Sequence, residues 1–337
     1  EAAELSDRVL ENYQYIHCSD LLRCSYARFL QSVIKHPTEP SQRSIRRREL
    51  KNEGVTLFQK AAAGWNSIFG DGEKQKDIDK KKAIAEEEAR KKYNQAMAVY
   101  ADEMKDYRSR LDYYEELLHQ GDEDVTLDYF NYVLSNDSFS ADTFSKYQVV
   151  ADVFAFDKQT GTLEVDYRIP EADEIPALTR FVYDRSTGDI VGQPIANKKS
   201  AATHRLNFAR ALLLRAAATI HLSDEAYVVK RIVMNGYLYF GGTASGRAQK
   251  KLVIKAIFPC KMIETLSPEH VEIAKLFAED LRATEVPGIY SKDPYELGEM
   301  PYVPTSKKSS PTKKNISKTY RLAKPDSSDD MSTEEEV

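Results

Sequence analysis

Three cysteines, six histidines and one tryptophan in 337 residues leave little material for a disulfide framework or a metal centre. The cysteines Cys18, Cys24 and Cys260 are odd in number and lack a metal-type pairing with histidine, which fits reduced thiols. His17, Cys18 and Cys24 lie close in sequence, but reduced thiols are the simpler reading. The histidines are scattered without ligand spacing. No glycine-rich phosphate loop is present, because "FGGTAS" lacks the following Lys-Ser/Thr and opens no helix. No serine or cysteine has the neighbourhood of a nucleophile. Long apolar runs are missing too, with nothing near the roughly 18 residues that mark a membrane span. The start, "EAAELSDRVL", has neither the basic nor the apolar region of a secretory signal. The expectation is therefore a cytoplasmic protein with no membrane partner. The chain does not begin with Met, so that expectation concerns only the residues in hand.

What is present is charge in blocks, and the net value of −5 hides it. "SQRSIRRRELK" carries Arg43, Arg46, Arg47, Arg48 and Lys51 against a single Glu. "SKKSSPTKKNISKTYRLAK" carries further cations, Lys313 and Lys314 among them, and no acid. Such blocks neutralise phosphates. The second block runs at once into "PDSSDDMSTEEEV", whose acids compete with nucleic acid for it. Residues 305–337 read as a disordered basic-then-acidic tail.

Tyr93, Met97, Tyr100, Met104, Tyr107, Leu111, Tyr114 and Leu118 recur at alternating spacings of four and three, which is a heptad seam on a long helix that Gly121 ends. Upstream, "EKQKDIDKKKAIAEEEARKK" extends the helix with only small apolar residues on the seam, and is expected to be exposed and loosely held. Tyrosines fit a parallel dimer poorly, so the expected partner is another helix of the same chain, drawn from Leu5, Val9, Tyr13, Ile16, Phe29, Leu30 and Val33. A further helix is expected in "VTLFQKAAAGWNSIF", turning through "GDGE". Residues 1–120 thus read as an antiparallel, coiled-coil-like α-helical stalk.

From residue 125 a short helix in "DVTLDYFNYVLSN" leads into segments of period-two alternation. "YQVVADVFAFD" and "TLEVDYRIP" form a hairpin with Gly161 at the position needing positive φ, and "LTRFVYD" and "DIVGQPI" form a second closed by Gly188. A helix over "SAATHRLNFARALLLRAAATIHLSDE" buries a stripe of Leu206, Ala209, Leu213, Ala216, Ala217 and Ile220. "VVKRIVMNGYLYF" and "KKLVIKAIF" complete the sheet, and "SPEHVEIAKLFAEDLRA" reads as a last helix. Residues 121–304 are therefore an α+β domain, a mostly antiparallel sheet with packed helices.

These blocks carry a resemblance. The acidic "GDED" turn, "DKQTGTLEVDYRIPEADEIPALTRFVYD", "FARALLLRAAATIHL", "RIVMNGYLYF" and "SKDPYELGEMPYVP", in that order, resemble the region that precedes the nuclease domain in bacterial Mrr-type restriction endonucleases. The resemblance covers about Tyr93 to Pro304. It implies a non-catalytic part, since in the family an Asp and a Gln-x-Lys or Glu-x-Lys motif follow in a separate domain. Here the chain runs into the charged tail instead.

Two functions follow as expectations. The first is a non-catalytic DNA-recognition and scaffold module of an anti-phage, restriction-type protein, with Arg43, Arg46, Arg47, Arg48, Lys51, Lys313 and Lys314 contacting DNA, and the stalk joining another subunit or a second copy. It needs no cofactor. The alternative is a Mg²⁺-dependent nuclease using Asp157, Glu164 and Asp166, two carboxylates holding metal while a cation assists water. In that reading Arg168 replaces the usual lysine, and it cannot act as a base. Gln249 and Lys251 have the formal Gln-x-Lys spacing but are expected in a hairpin turn. Alternation of charged and apolar residues is also what any half-exposed strand shows, and the wet face of a sheet is the preferred reading of Glu164 and Asp166. A third possibility is a purely protein-binding subunit.

Overall fold

The structure, a computed structural model, describes residues 16–18, 21–53, 72–137, 149–175, 177–240, 249–267 and 270–301. The expected helix at 55–69, the apolar positions Leu5, Val9 and Tyr13, and the tail at 305–337 lie outside them. Two compact units are distinguished, Leu30–Tyr113 and the remainder, and the division falls within two helices.

The helical unit contains the end of α1 (Tyr26–Val33), α2 (Gln42–Asn52) and most of α3 (Gly72–Gln120). No glycine or proline interrupts α3 after its first residue, and i,i+4 pairs such as Asp77–Lys81 at 2.9 Å and Glu87–Lys91 at 3.1 Å line its exposed face. The seam is visible as burial: Tyr107 is buried with its ring edge-on to His36 at 5.0 Å, while Tyr93, Met97, Tyr100, Met104 and Leu111 are half-buried. The upstream stretch departs from expectation, because Ala85 and Ala89 are buried.

The second unit includes the last residues of α3, from Tyr114, and the stop of that helix. Gly121, at φ 64°, donates to Leu118 O while Asp122 N donates to Leu117 O, the paired bonds of a Schellman cap. Asp122 then caps α4 (Glu123–Ser135), its carboxylate accepting from Val125 N at 3.2 Å. The main sheet has the order β1 (Ala151–Asp157), β2 (Thr162–Arg168), β5 (Arg231–Phe240), β6 (Gln249–Pro259), β7 (Thr284–Glu285). All neighbours are antiparallel except β2 and β5, which run parallel with Leu163 opposite Ile232 and Asp166 opposite Asn235. That single parallel pair is made possible by the long crossover between them, which contains the separate hairpin β3 (Leu178–Asp184) and β4 (Asp189–Pro194) and the helix α5 (Lys198–Ser223). The protein is thus α+β, as its patterning implies.

Where one buried stripe was expected on α5, every residue from Ala211 to Ile220 is buried. The helix lies against β5, where Gly236 lets Leu213 approach, and contacts α4 and the short helix α6 (Cys260–Thr265) elsewhere on its surface. The expected last helix is shorter than read: Ile273–Lys275 passes into a π-turn, Leu276–Asp280. The wider turn carries both Leu276 and Phe277 inward, Phe277 meeting Phe258 at 5.8 Å between ring centres.

Being buried all round, α5 must also bury Arg215, 2% exposed. Its guanidinium forms two bonds to Asp137, Nε–Oδ2 at 3.1 Å and Nη2–Oδ1 at 2.8 Å, and Nη1 donates to Ile16 O at 3.0 Å. Nearby, the Tyr129 hydroxyl lies 2.7 Å from both Cys24 O and Ser223 O, and Ser223 Oγ accepts from Cys24 N at 3.0 Å. Removing one partner of a buried pair strands the other charge. Asp137→Asn is therefore expected to lower unfolding stability by about 3–5 kcal/mol, whereas the paired change Arg215→Met with Asp137→Leu recovers most of that loss. Urea unfolding followed by circular dichroism checks both, and a paired variant no better than the single one would contradict the account.

Candidate nucleic-acid interface

The first basic block folds as α2. Ser41 caps it, its hydroxyl accepting from Ser44 N at 3.3 Å. Ile45 and Glu49 turn inward, Ile45 half-buried and Glu49 buried. The opposite face presents Arg43, Arg47 and Lys51 at i, i+4 and i+8, a stripe of about 12 Å at a rise of 1.5 Å per residue. Arg46 and Arg48 flank it, also exposed.

What fixes this orientation is the single acid of the block. Glu49 Oε2 accepts from Lys92 Nζ of α3 at 2.7 Å and from Asn52 Nδ2 at 3.4 Å. Arg46 pairs with Glu86, one and a half turns earlier on α3. Among the described residues Arg43, Arg47, Arg48 and Lys51 form no ion pair, so the block is divided: one arginine docks the helix and four cations face solvent. The sequence did carry a signal for Glu49, as the lone acid in a basic run, but its partner 43 positions away has no local signature.

Further along α3, Met97, Tyr100 and Met104 line a groove of about 460 Å³ together with Lys105, Arg108 and Asp112 of the same helix. This is the part of the seam that leads away from Tyr107.

The three sheet carboxylates do not share one environment. Asp157 ends β1 and closes the turn that follows, accepting from Gln159 N at 2.9 Å and from Thr160 Oγ1 at 2.6 Å. The Thr160 hydroxyl bond, with the two backbone bonds, holds its carboxyl below the usual range. Glu164 and Asp166 do share the face of β2 opposite Leu163, Val165 and Tyr167, half-exposed where those are buried. Asp166 is engaged: Asn235 Nδ2 donates to Oδ1 at 3.1 Å and Lys250 Nζ to Oδ2 at 2.6 Å. Burial alone would lower the Lys250 ammonium, but the Asp166 bond and charge outweigh it and raise it, and the same ammonium sits 4.0 Å from the Tyr237 ring centre. A lysine so held stays protonated at neutral pH and serves no base role. Arg168 is committed elsewhere, its Nη2 bonded to both Glu174 oxygens at 2.6 and 2.7 Å.

Gln249 and Lys251 sit in β6 rather than in a turn, and Lys251 Nζ bonds Leu297 O. Among the described residues no group of three or more His, Cys, Asp or Glu is arranged to hold a metal ion, and no helix is long and apolar enough to cross a membrane. Lys313 and Lys314 lie outside the described residues. No family model, curated protein or solved structure matches the chain.

The Lys92 hydrogen bond holds the Glu49 carboxyl below its ordinary value, against the opposing effect of burial. A lowered carboxylate contributes stability at neutral pH that disappears as pH falls through the lowered value. Carbon-13 NMR is expected to place the Glu49 titration below 4.5, with Lys92→Met moving it upward and deprotecting α2 amides to exchange. A midpoint unchanged by Lys92→Met would contradict the docking role.

Proposed function

We propose that this chain is a non-catalytic, cytoplasmic DNA-binding and scaffold module of a bacterial restriction-type defence protein. The observation that carries the reading is the outward stripe of Arg43, Arg47 and Lys51, flanked by Arg48, on a helix whose only buried acid is already neutralised by Lys92. Unpaired cations at helical spacing exchange water and counter-ions for phosphate contacts without reading bases, so affinity depends on salt more than on sequence. The resemblance of about Tyr93 to Pro304 to the region before an Mrr-type nuclease domain supports the non-catalytic side of this reading and does not extend to α2. No cofactor enters the proposal.

A purely protein-binding role is the second reading, favoured by the open groove at Met97, Tyr100 and Met104. A Mg²⁺-dependent nuclease is the weaker alternative: Glu164 and Asp166 share a face, but Lys250 and Asn235 already satisfy Asp166, and Asp157 is spent on its turn.

Fluorescence anisotropy with labelled duplex DNA in Mg²⁺ separates the three. The wild type is expected to bind with a log–log salt slope of about −0.9 per phosphate contacted, leaving the DNA intact. Replacing Arg43, Arg47, Arg48 and Lys51 together by Ala weakens binding at least tenfold and flattens the slope by up to about 3–4, whereas Arg46→Ala does less. Binding unchanged by the fourfold variant contradicts the proposal, and DNA cleavage lost in Asp166→Asn would establish the nuclease instead.

A further inference from the structure

The β3–β4 hairpin stands apart from the main sheet as a two-stranded sheet of its own. Its strands pack chiefly on one another: Arg180 is opposite Gln193, Phe181 opposite Gly192 and Val182 opposite Val191, with Leu178 folded over Gly192. Two strands alone are marginal in water. This pair nevertheless leaves Tyr183 58% and Val191 40% exposed.

The two edges differ. The β4 edge ends in Pro194, which has no N–H to offer a neighbour. The β3 edge contains no proline, runs regularly from Arg180 to Asp184 after an irregularity between Leu178 and Arg180, and makes no ladder with any described segment other than β4. An edge of that kind is a template for another strand.

The sequence of β3 states which strand fits. Around Val182 it reads Arg180, Phe181, Val182, Tyr183, Asp184, with opposite charges and two aromatic residues placed symmetrically. Antiparallel pairing of β3 with a second β3 about Val182 sets each Arg180 directly opposite an Asp184 and each Phe181 opposite a Tyr183, on shared faces of the new sheet. Parallel pairing in register would oppose like charges instead. Arg180 bonds Gln193 through Nε, and Asp184, held ionised by its Ser186 bonds, accepts both of them on Oδ1 at 2.8 and 2.6 Å.

We propose that β3 is a self-association edge, at which two copies of the chain form a continuous four-stranded sheet in the order β4, β3, β3 of the second copy, β4 of the second copy. The proposal is independent of DNA binding, because it concerns a different element and is measured without nucleic acid. An interface this small is expected to be of micromolar strength.

Sedimentation velocity of the full chain, over about 1–100 µM, tests it through a charge exchange. The wild type is expected to move from one to two chains of 38.3 kDa as concentration rises. Arg180→Glu alone and Asp184→Arg alone each oppose like charges and weaken association at least about tenfold, while an equimolar mixture of the two variants restores it, because each then faces its complement. Circular dichroism confirms that each variant is folded. A wild type that stays a single chain throughout, as it would if a foreign peptide or another segment of this chain occupied the edge, overturns the proposal. So do single variants that associate as wild type, or a mixture that fails to recover.

Discussion

A guanidinium taken fully out of water has to be neutralised and hydrogen-bonded, and Arg215 imposes that requirement at the centre of the larger unit. Asp137 at the end of α4 answers with both carboxylate oxygens, and Ile16 answers with its carbonyl. Two stretches far apart in sequence are thereby fixed against α5. The neighbouring bonds from Tyr129 and Ser223 to the backbone at Cys24 repeat the pattern with neutral groups. Held in this way, α5 lies against β5, the parallel neighbour of β2, and the face of β2 with Glu164 and Asp166 is turned from the core.

A second buried charge governs the helical unit by the same physics on a smaller scale. Glu49 points into the α2–α3 contact and takes Lys92 as its partner. With that face committed inward, helical geometry leaves Arg43, Arg47 and Lys51 no direction but outward. The contrast with the sheet is chemical. There, Lys250 and Asn235 close on Asp166 and leave a satisfied polar cluster, whereas on α2 the cations exceed the acids within reach. Satisfied groups stabilise a fold, and unsatisfied exposed cations remain for a ligand.

Much of this was legible in the sequence because it is periodic or conformationally restricted. The heptad positions of α3, the stop at Gly121, the hairpins closed by Gly161 and Gly188, and the alternation of β2 all rest on local rules, and all appear where those rules place them. What escaped depends on contacts between distant residues. No spacing announces that Lys250 meets Asp166 across 84 positions, or that Arg168 turns to Glu174. The π-turn at Leu276–Asp280 was invisible because its pattern scans as an ordinary amphipathic helix, and the contact of Phe277 with Phe258 lies between residues distant in sequence. Complete burial of Ala211–Ile220 was understated for a similar reason: alanine reads as neutral, and only packing on several sides at once makes it core.

The proposed DNA contact lies with the outward cations of α2 rather than with the polar cluster on the sheet. Lysine acylation footprinting, read by mass spectrometry with and without duplex DNA at low salt, compares the two directly within one molecule. DNA is expected to protect Lys51 while leaving Lys250 at the reactivity it has alone, since its ammonium is already held by Asp166. Protection of Lys250 with Lys51 unchanged would contradict the account and move the interface to the sheet.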